Sequence, residues 1–134
     1  MNLVIDANIL FSALLKDSAT RNMVLDRRLT LFAPRFLILE YAKYAPELRR
    51  KSGIGKGDFA ILTKKLLTRI RLIPDAEIKL YYEAAQGFVS DKKDAPYAAC
   101  ALATGAEVWS NDRHFRDLRI KNWTTKELLE KTGK

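Results

Sequence analysis

The sequence predicts an α/β fold, a three-layer α/β/α sandwich around a largely parallel β-sheet. Short apolar runs of strand length alternate with longer stretches whose apolar residues recur at helical spacing. This alternation along the whole chain favours parallel strands joined by crossover helices. With 134 residues, 48% of them hydrophobic, the chain suits one domain over residues 1–134 with a sizeable core, and it is too short for two ordinary domains.

Two strands and three helices are predicted in the first part of the chain. Apolar runs favour strands at 3–5 and 31–33, and helical spacing favours helices at 9–14, from Ser18, and at 35–50. Ser18 is a suitable N-cap for the second helix. Pro46 lies inside the third and is expected to kink or break it, because proline lacks an N–H group and its ring clashes with the preceding turn.

The second part of the chain begins with a glycine-rich turn at 52–57. This turn is not a phosphate-binding loop, because it lacks the P-loop spacing and its Lys-Ser/Thr pair. The predicted elements that follow are a helix at 58–68, a strand at 69–73, helices at 76–88 and 94–104, a strand at 108–109, a helical turn at 113–118, a short strand near Ile120 and a C-terminal helix from Thr124 or Thr125. Pro96 is tolerated in the first turn of its helix, and Gly105 is a natural C-cap.

Four carboxylates occupy positions that this fold can bring together. Asp6 and Asp112 follow predicted strands, Asp94 opens a helix, and Glu40 lies within an apolar run. Parallel strands end at one edge of the sheet, where α/β proteins bind ligands, so the acids are expected to face one cleft. Acids that share a pocket repel one another unless a cation neutralises them, and oxygen ligands favour Mg²⁺ or Mn²⁺. Such an ion can polarise a phosphodiester and orient attacking water.

Each of these acids also has a structural explanation. The three aspartates suit helix N-caps, and Glu40 can pair with Lys43 one turn further on. An ionised glutamate among apolar residues is unfavourable without a compensating charge. The joint occurrence of the four positions favours a shared site.

The net charge, the single cysteine and the single histidine limit the kinds of partner and of chemistry that the sequence allows. The net charge is +8, and residues 43–71 contain nine basic and two acidic side chains. Such a concentration indicates a polyanion partner, with Arg49, Arg50, Lys51 and Lys56 as candidate nucleic-acid contacts, or else a solvated helical face. One cysteine and one histidine exclude an internal disulfide framework and most zinc sites. No signal peptide or membrane span is apparent, which predicts a cytoplasmic protein.

The candidate residues resemble the PIN-domain ribonuclease family, in particular its small VapC-type toxins. The likeness runs through Val4-Ile5-Asp6-Ala7-Asn8, Ser12, Glu40, Asp94-Ala95-Pro96-Tyr97-Ala98-Ala99, Trp109-Ser110-Asn111-Asp112 and Phe115. It implies a PIN-like sandwich and cleavage of RNA by Mg²⁺ or Mn²⁺ held by the quartet Asp6, Glu40, Asp94 and Asp112. Asn8, Ser12 and Ser110 are then polar supports, and a homodimer with an antitoxin partner is expected.

The first hypothesis is therefore a metal-dependent endoribonuclease, the toxin of a toxin–antitoxin pair or an RNA-processing enzyme. A catalytically inactive nucleic-acid-binding module of the same fold is the alternative. A phosphatase with Asp6 as nucleophile is disfavoured, because Asn8 stands two positions on and no lysine motif completes the site.

Several residues near the quartet have open roles. Asp91 and Asp117 can assist the acids or be solvated, and His114 can touch a phosphate or be an exposed turn residue. Tyr97 and Trp109 can stack on bases or pack in the core. Cys100, which lies among alanines, is expected in the core.

Overall fold

The computed structural model describes residues 1–15, 18–89, 91–112 and 120–133, and the sheet it shows has five strands. The strands are β1 (Asn2–Ile5), β2 (Thr30–Pro34), β3 (Ile70–Ile73), β4 (Glu107–Trp109) and β5 (Asn122–Trp123). Their order is β3-β2-β1-β4-β5, and every neighbouring pair is parallel. The predicted α/β fold with a parallel sheet is thus confirmed. Because β1 is central, the residue that follows it lies mid-way along the carboxyl edge.

Seven helices flank this sheet in the described part of the chain. They are α1 (Ala7–Leu14), α2 (Ser18–Val24), α3 (Phe36–Ser52), α4 (Lys56–Leu67), α5 (Asp75–Gln86), α6 (Ala95–Thr104) and α7 (Thr125–Thr132), with a 3₁₀ turn at Lys92–Asp94. Thr124 caps α7 through a capping box with Glu127. None of the described helices is both long and apolar enough to span a bilayer.

The core lies between the central strands and the small side chains of α6. Leu3, Val4 and Ile5 of β1 are fully buried, as is expected of a parallel strand covered on both faces. Helix α6 packs on β1 and β2. Cys100 and Trp109 are both fully buried, so their interpretation as core residues is confirmed and base stacking by Trp109 is wrong.

The segment after β4 is tied to the start of α7. The Trp109 indole Nε1 donates to the Thr125 hydroxyl at 3.0 Å. The Asn111 side chain donates to the same hydroxyl at 3.2 Å and accepts from the Thr125 backbone N–H at 2.8 Å. These bonds hold the backbone that leads into Asp112.

The predicted break at Pro46 is wrong, since α3 continues through it to Ser52. Pro46 and Ala42, whose carbonyl loses its helical partner, are both solvent-exposed, and water can satisfy that carbonyl there.

The turn predicted at 52–57 is shorter than expected, because α4 begins at Lys56 after Gly53 adopts a left-handed φ of 70°. The last short strand is β5, with Ile120 buried before it. The helical turn predicted at 113–118 lies outside the described residues.

Candidate active site at the carboxyl edge of the sheet

A pocket of about 170 Å³ lies at the carboxyl edge of the sheet, and it is called the acid pocket below. It is lined by Asp6, Ala7, Asn8, Glu40, Asp91, Lys93, Asp94, Tyr97 and Asp112. The structure therefore brings the four predicted acids together from four separate segments of the chain. Ser110 adjoins the pocket through its bond to Asp6, whereas the half-buried Ser12 does not line it.

Asp6 caps a helix and lines the pocket at once. Its Oδ1 accepts from the Ile9 backbone N–H at 3.1 Å, which caps α1, and its Oδ2 accepts from the Ser110 hydroxyl. Only 5% of Asp6 is exposed. Burial raises the pKa of Asp6 to about 6, the bonds from Ser110 and Ile9 oppose that rise, and the charges of Asp112 and Asp94 add to it. A cation in the pocket would favour the ionised form.

Ser110 connects two of the acids. The parallel register pairs Ile5 with Trp109, so the residues that follow these two strands meet at the edge of the sheet. The fully buried Ser110 hydroxyl donates to Asp6 and accepts from the Asp112 backbone N–H at 2.9 Å. The Ser110 backbone is held in turn by Trp123 and by the Asn122 amide. A single side chain thus links the Asp6 carboxylate to the Asp112 backbone.

Glu40 is oriented by Tyr97, whose phenol donates to Glu40 Oε1. Tyr97 is 2% exposed and packs edge-on against Phe36 with ring centroids 6.1 Å apart, so it is not free to stack on a base. Burial and the Glu40 carboxylate raise the pKa of Tyr97, which keeps the phenol protonated as a donor. Among the described residues Glu40 forms no ion pair with Lys43, so that alternative is wrong.

Asp94, Asp91 and Lys93 come from the segment before α6. The half-buried Asp94 makes no capping hydrogen bond to α6, which removes the helix-cap explanation for it. Asp91 caps the 3₁₀ turn, where its Oδ1 accepts from the Lys93 backbone N–H at 3.0 Å. Lys93 is the only basic residue among the described residues that line the pocket. Lys93 was not predicted from the sequence, because nothing in the pattern of a polar connection distinguishes it from Lys92.

Some sequence predictions fall outside the described residues. The capping explanation for Asp112 depends on residues 113–119, and Asp117 and His114 also lie there. Asp112 itself is half-buried and lines the pocket.

The donor chemistry of the acid pocket suits a hard divalent ion. All its acidic groups are carboxylates, which Mg²⁺ and Mn²⁺ prefer, and the pKa of Asp6 is raised chiefly by burial, with a smaller contribution from Asp112 and Asp94. Within the described ranges, no three His, Cys, Asp or Glu side chains are arranged closely enough to form a metal-binding group by themselves. Mg²⁺ retains several of its waters, so direct contact with every carboxylate is not required.

The predicted nucleic-acid contacts lie at the end of α3 and the start of α4. Arg49, Arg50 and Lys51 occupy the last turn of α3, Lys56 begins α4, and all four are exposed. Lys51 pairs with Glu47 at 2.9 Å, an exposed ion pair that contributes little stability. Helix α3 therefore runs from Glu40 in the acid pocket to a basic end.

Comparison with known proteins agrees with this architecture. A sequence model of the PIN domain matches residues 4–132. Among solved structures, the chain is similar to one in the crystal structure of VapBC2 from Rickettsia felis bound to a DNA fragment from their promoter. The TM-score is 0.70 at 18% identity, over 92% of this chain and 98% of that one. At this identity the likeness shows the fold. No curated protein matches the chain.

Proposed function

Because the chain belongs to the PIN domain family, we propose that it is an endoribonuclease that hydrolyses RNA phosphodiesters with the aid of Mg²⁺ or Mn²⁺. One observation carries the proposal: Asp6, Glu40, Asp94 and Asp112, from four separate segments, line one pocket at the carboxyl edge of a parallel sheet. These four carboxylates would hold the ion.

A bound divalent ion would supply Lewis-acid activation of the phosphodiester and of the attacking water. The protein's own residues prepare the pocket for it. Ile9 and Ser110 hold Asp6 in one rotamer, and Tyr97 orients Glu40. Lys93 lines the same pocket and brings a positive charge to which a substrate phosphate is attracted.

The basic end of α3 supports an RNA substrate. A pocket of carboxylates repels a polyanion, whereas exposed lysines and arginines attract it and release its counterions on binding. We propose that Arg49, Arg50, Lys51 and Lys56 bind the RNA backbone while the strand enters the acid pocket.

We also propose a protein partner and an assembly. The structurally similar Rickettsia felis protein occurs in a VapBC complex. This likeness supports the proposal that the chain is the toxin of a toxin–antitoxin pair. We further propose that it is a single PIN-like nuclease domain over residues 1–134 that forms a homodimer and acts in the cytoplasm.

Cleavage of single-stranded RNA tests the proposed activity. The purified protein is expected to cut RNA in Mg²⁺ or Mn²⁺ and to stop when a chelator is added. Asp112→Asn should lower the rate by at least about 100-fold, because even the outer partners of metal ligands are worth 10- to 100-fold. Asp75→Asn, an exposed acid at the start of α5, is the matched control and should cut like the wild type.

Cutting that persists both in chelator and in Asp112→Asn would contradict the carboxylate mechanism. If the protein binds RNA in Mn²⁺ without cutting it, and Asp94→Asn leaves that affinity unchanged, the chain is instead a catalytically inactive nucleic-acid-binding module.

The salt dependence of RNA binding tests the basic end of α3. We expect the double variant Arg49→Gln/Arg50→Gln to bind RNA more weakly, with the slope of log K against log salt shallower by roughly 1.4, because each phosphate contact on a single strand contributes about 0.7. Arg27→Gln/Lys121→Gln removes the same charge just before β2 and β5, at the opposite edge of the sheet, and is the control. Equal slopes for the two double variants would contradict a specific RNA contact at this site and would mean that Arg49 and Arg50 contribute only general surface charge.

A further inference from the structure

A second pocket adjoins the acid pocket and shares Asn8 and Glu40 with it. Its volume is about 400 Å³, and it lies between α1 and α3. Its other lining residues are Phe11, Leu15, Tyr44, Glu47, Leu48 and Lys51. The shared residues make the two pockets neighbours, so adjacent groups of one strand can reach both.

The inner wall of this second pocket is apolar and aromatic. Leu48 is buried, and Phe11 packs edge-on against Tyr44 with ring centroids 5.7 Å apart and an interplanar angle of 67°. Tyr44 nevertheless remains 38% exposed. An aromatic ring that is held by a neighbour and still exposed suits stacking by a planar ligand, because little conformational entropy is lost on binding.

The pocket is lined by Glu40, Glu47 and Lys51, and further basic side chains lie beside it on α3. The ammonium of Lys43 lies 5.4 Å from the centre of the Tyr44 ring. The exposed Glu47–Lys51 pair lies one turn further along α3, and Arg49 and Arg50 continue the basic surface. Positive charge interleaved with an exposed aromatic side chain is what a single-stranded nucleic acid requires, since phosphates and base faces alternate along the strand.

We propose that this pocket, called the base pocket below, binds one unstacked nucleobase of single-stranded RNA next to the phosphate that enters the acid pocket. The proposal rests on the proposed nuclease function and names the substrate class as single-stranded, because a paired base in an A-form helix cannot be splayed into such a pocket. A volume of about 400 Å³ lies within the ordinary range of small-ligand pockets. Tyr44 supplies the stacking face, and Lys51 is a donor at the rim.

An abasic scan tests the base pocket. The cut is first mapped in a single-stranded RNA, and the three nucleotides on each side are then replaced one at a time by an abasic residue. We expect one position adjacent to the cut to lower wild-type kcat/KM by about 5- to 150-fold, the range that corresponds to stacking of one base on an aromatic side chain. Fluorescence anisotropy of the same oligonucleotides measures binding separately from cutting.

Tyr44→Ala should lower kcat/KM on intact RNA by a similar factor and cause no further loss on the abasic RNA. Tyr44→Phe, which keeps the ring, should behave like the wild type. Tyr81→Ala is the matched control, because Tyr81 on α5 is 40% exposed and lines neither pocket.

The base pocket is refuted if Tyr44→Ala and Tyr81→Ala bind and cut intact RNA equally well, or if no abasic position matters. Loss of a protein partner in Tyr44→Ala with unchanged RNA affinity would make the pocket a protein-docking site and would also overturn the proposal. These outcomes are distinct from failure of the nuclease function, in which no RNA is cut in either metal while anisotropy still reports on the pocket.

Discussion

Asp6→Asn is expected to abolish RNA cleavage and, in the absence of divalent ions, to make the protein more stable at neutral pH. In the folded protein, burial and nearby acids raise the pKa of Asp6 from 3.8 to about 6. The folded state therefore binds a proton more tightly than the unfolded state does. Ionisation of Asp6 is unfavourable in the fold, and asparagine removes that penalty. Its side-chain oxygen can still cap α1, and its amide nitrogen can donate to the Ser110 hydroxyl in place of the bond that Asp6 Oδ2 accepts.

The sign of the pH dependence follows from the same shift. The stability linked to protonated Asp6 is fully present below about pH 4 and is lost as the pH rises through about 6. At pH 7.5 in chelator, Asp6→Asn should exceed the wild type by roughly 1–3 kcal/mol, since one pKa unit corresponds to about 1.4 kcal/mol. Thermal and denaturant unfolding between pH 4 and 8 measures this difference.

Mn²⁺ provides the second half of the test. It should raise the Tm of the wild type, because an ion that binds only the folded state stabilises it, and it should have little effect on Asp6→Asn. Asp75→Asn should respond to pH and to Mn²⁺ as the wild type does. Two outcomes would contradict the claim that ionised Asp6 destabilises the metal-free fold and is compensated by a bound ion. One is a metal-free Asp6→Asn that is less stable than the wild type at pH 7.5, and the other is an equal response of both proteins to Mn²⁺.

Ser110→Ala is expected to lower cleavage by roughly 10- to 100-fold, the usual effect of removing a group that orients metal ligands. The buried Ser110 hydroxyl donates to Asp6 and accepts from the Asp112 backbone, so alanine removes one restraint on each acid. The substitution should also destabilise the fold by about 1–3 kcal/mol, because buried polar groups lose a partner. The Mn²⁺ concentration that gives half-maximal cleavage should rise.

Ser52→Ala separates positioning from stability. The Ser52 hydroxyl is also buried and also makes two hydrogen bonds, to the Arg49 carbonyl and from the Ile54 N–H, but it lies at the end of α3 and lines neither pocket. Its loss should lower Tm without changing the Mn²⁺ requirement. If both serine variants shift the Mn²⁺ requirement equally, Ser110 has no special role in positioning the acids.

The sequence was sufficient to predict the fold and the convergence of the four acids in one pocket, because the alternation of strands and helices follows regular rules. Apolar runs that alternate with helical spacing predict a parallel sheet, and acids that follow such strands meet at one edge. Contacts between distant side chains follow no such rule. Tyr97 and Glu40 are separated by 57 positions, and nothing in the sequence indicates that a phenol orients that carboxylate.

The helix break predicted at Pro46 failed because solvent can replace the hydrogen bond that proline removes. Proline normally breaks a helix by removing a hydrogen bond, but α3 tolerates Pro46 because the affected turn faces water. Lys93 was not predicted for a different reason. Its place in the acid pocket depends on the 3₁₀ turn capped by Asp91, a geometry that composition alone does not predict.

The hydrogen bonds from Trp109 and Asn111 to Thr125 connect the carboxyl edge of the sheet to a part of the chain that lines neither pocket. Thr125 begins α7, and the backbone that delivers Asp112 is fastened to it on both sides of Ser110. Helix α7 thus helps to hold the backbone beside the acid pocket in place. We therefore expect a partner, fusion or truncation that shifts α7 also to shift the strand end beside Asp6, and to change the rate of the proposed hydrolysis.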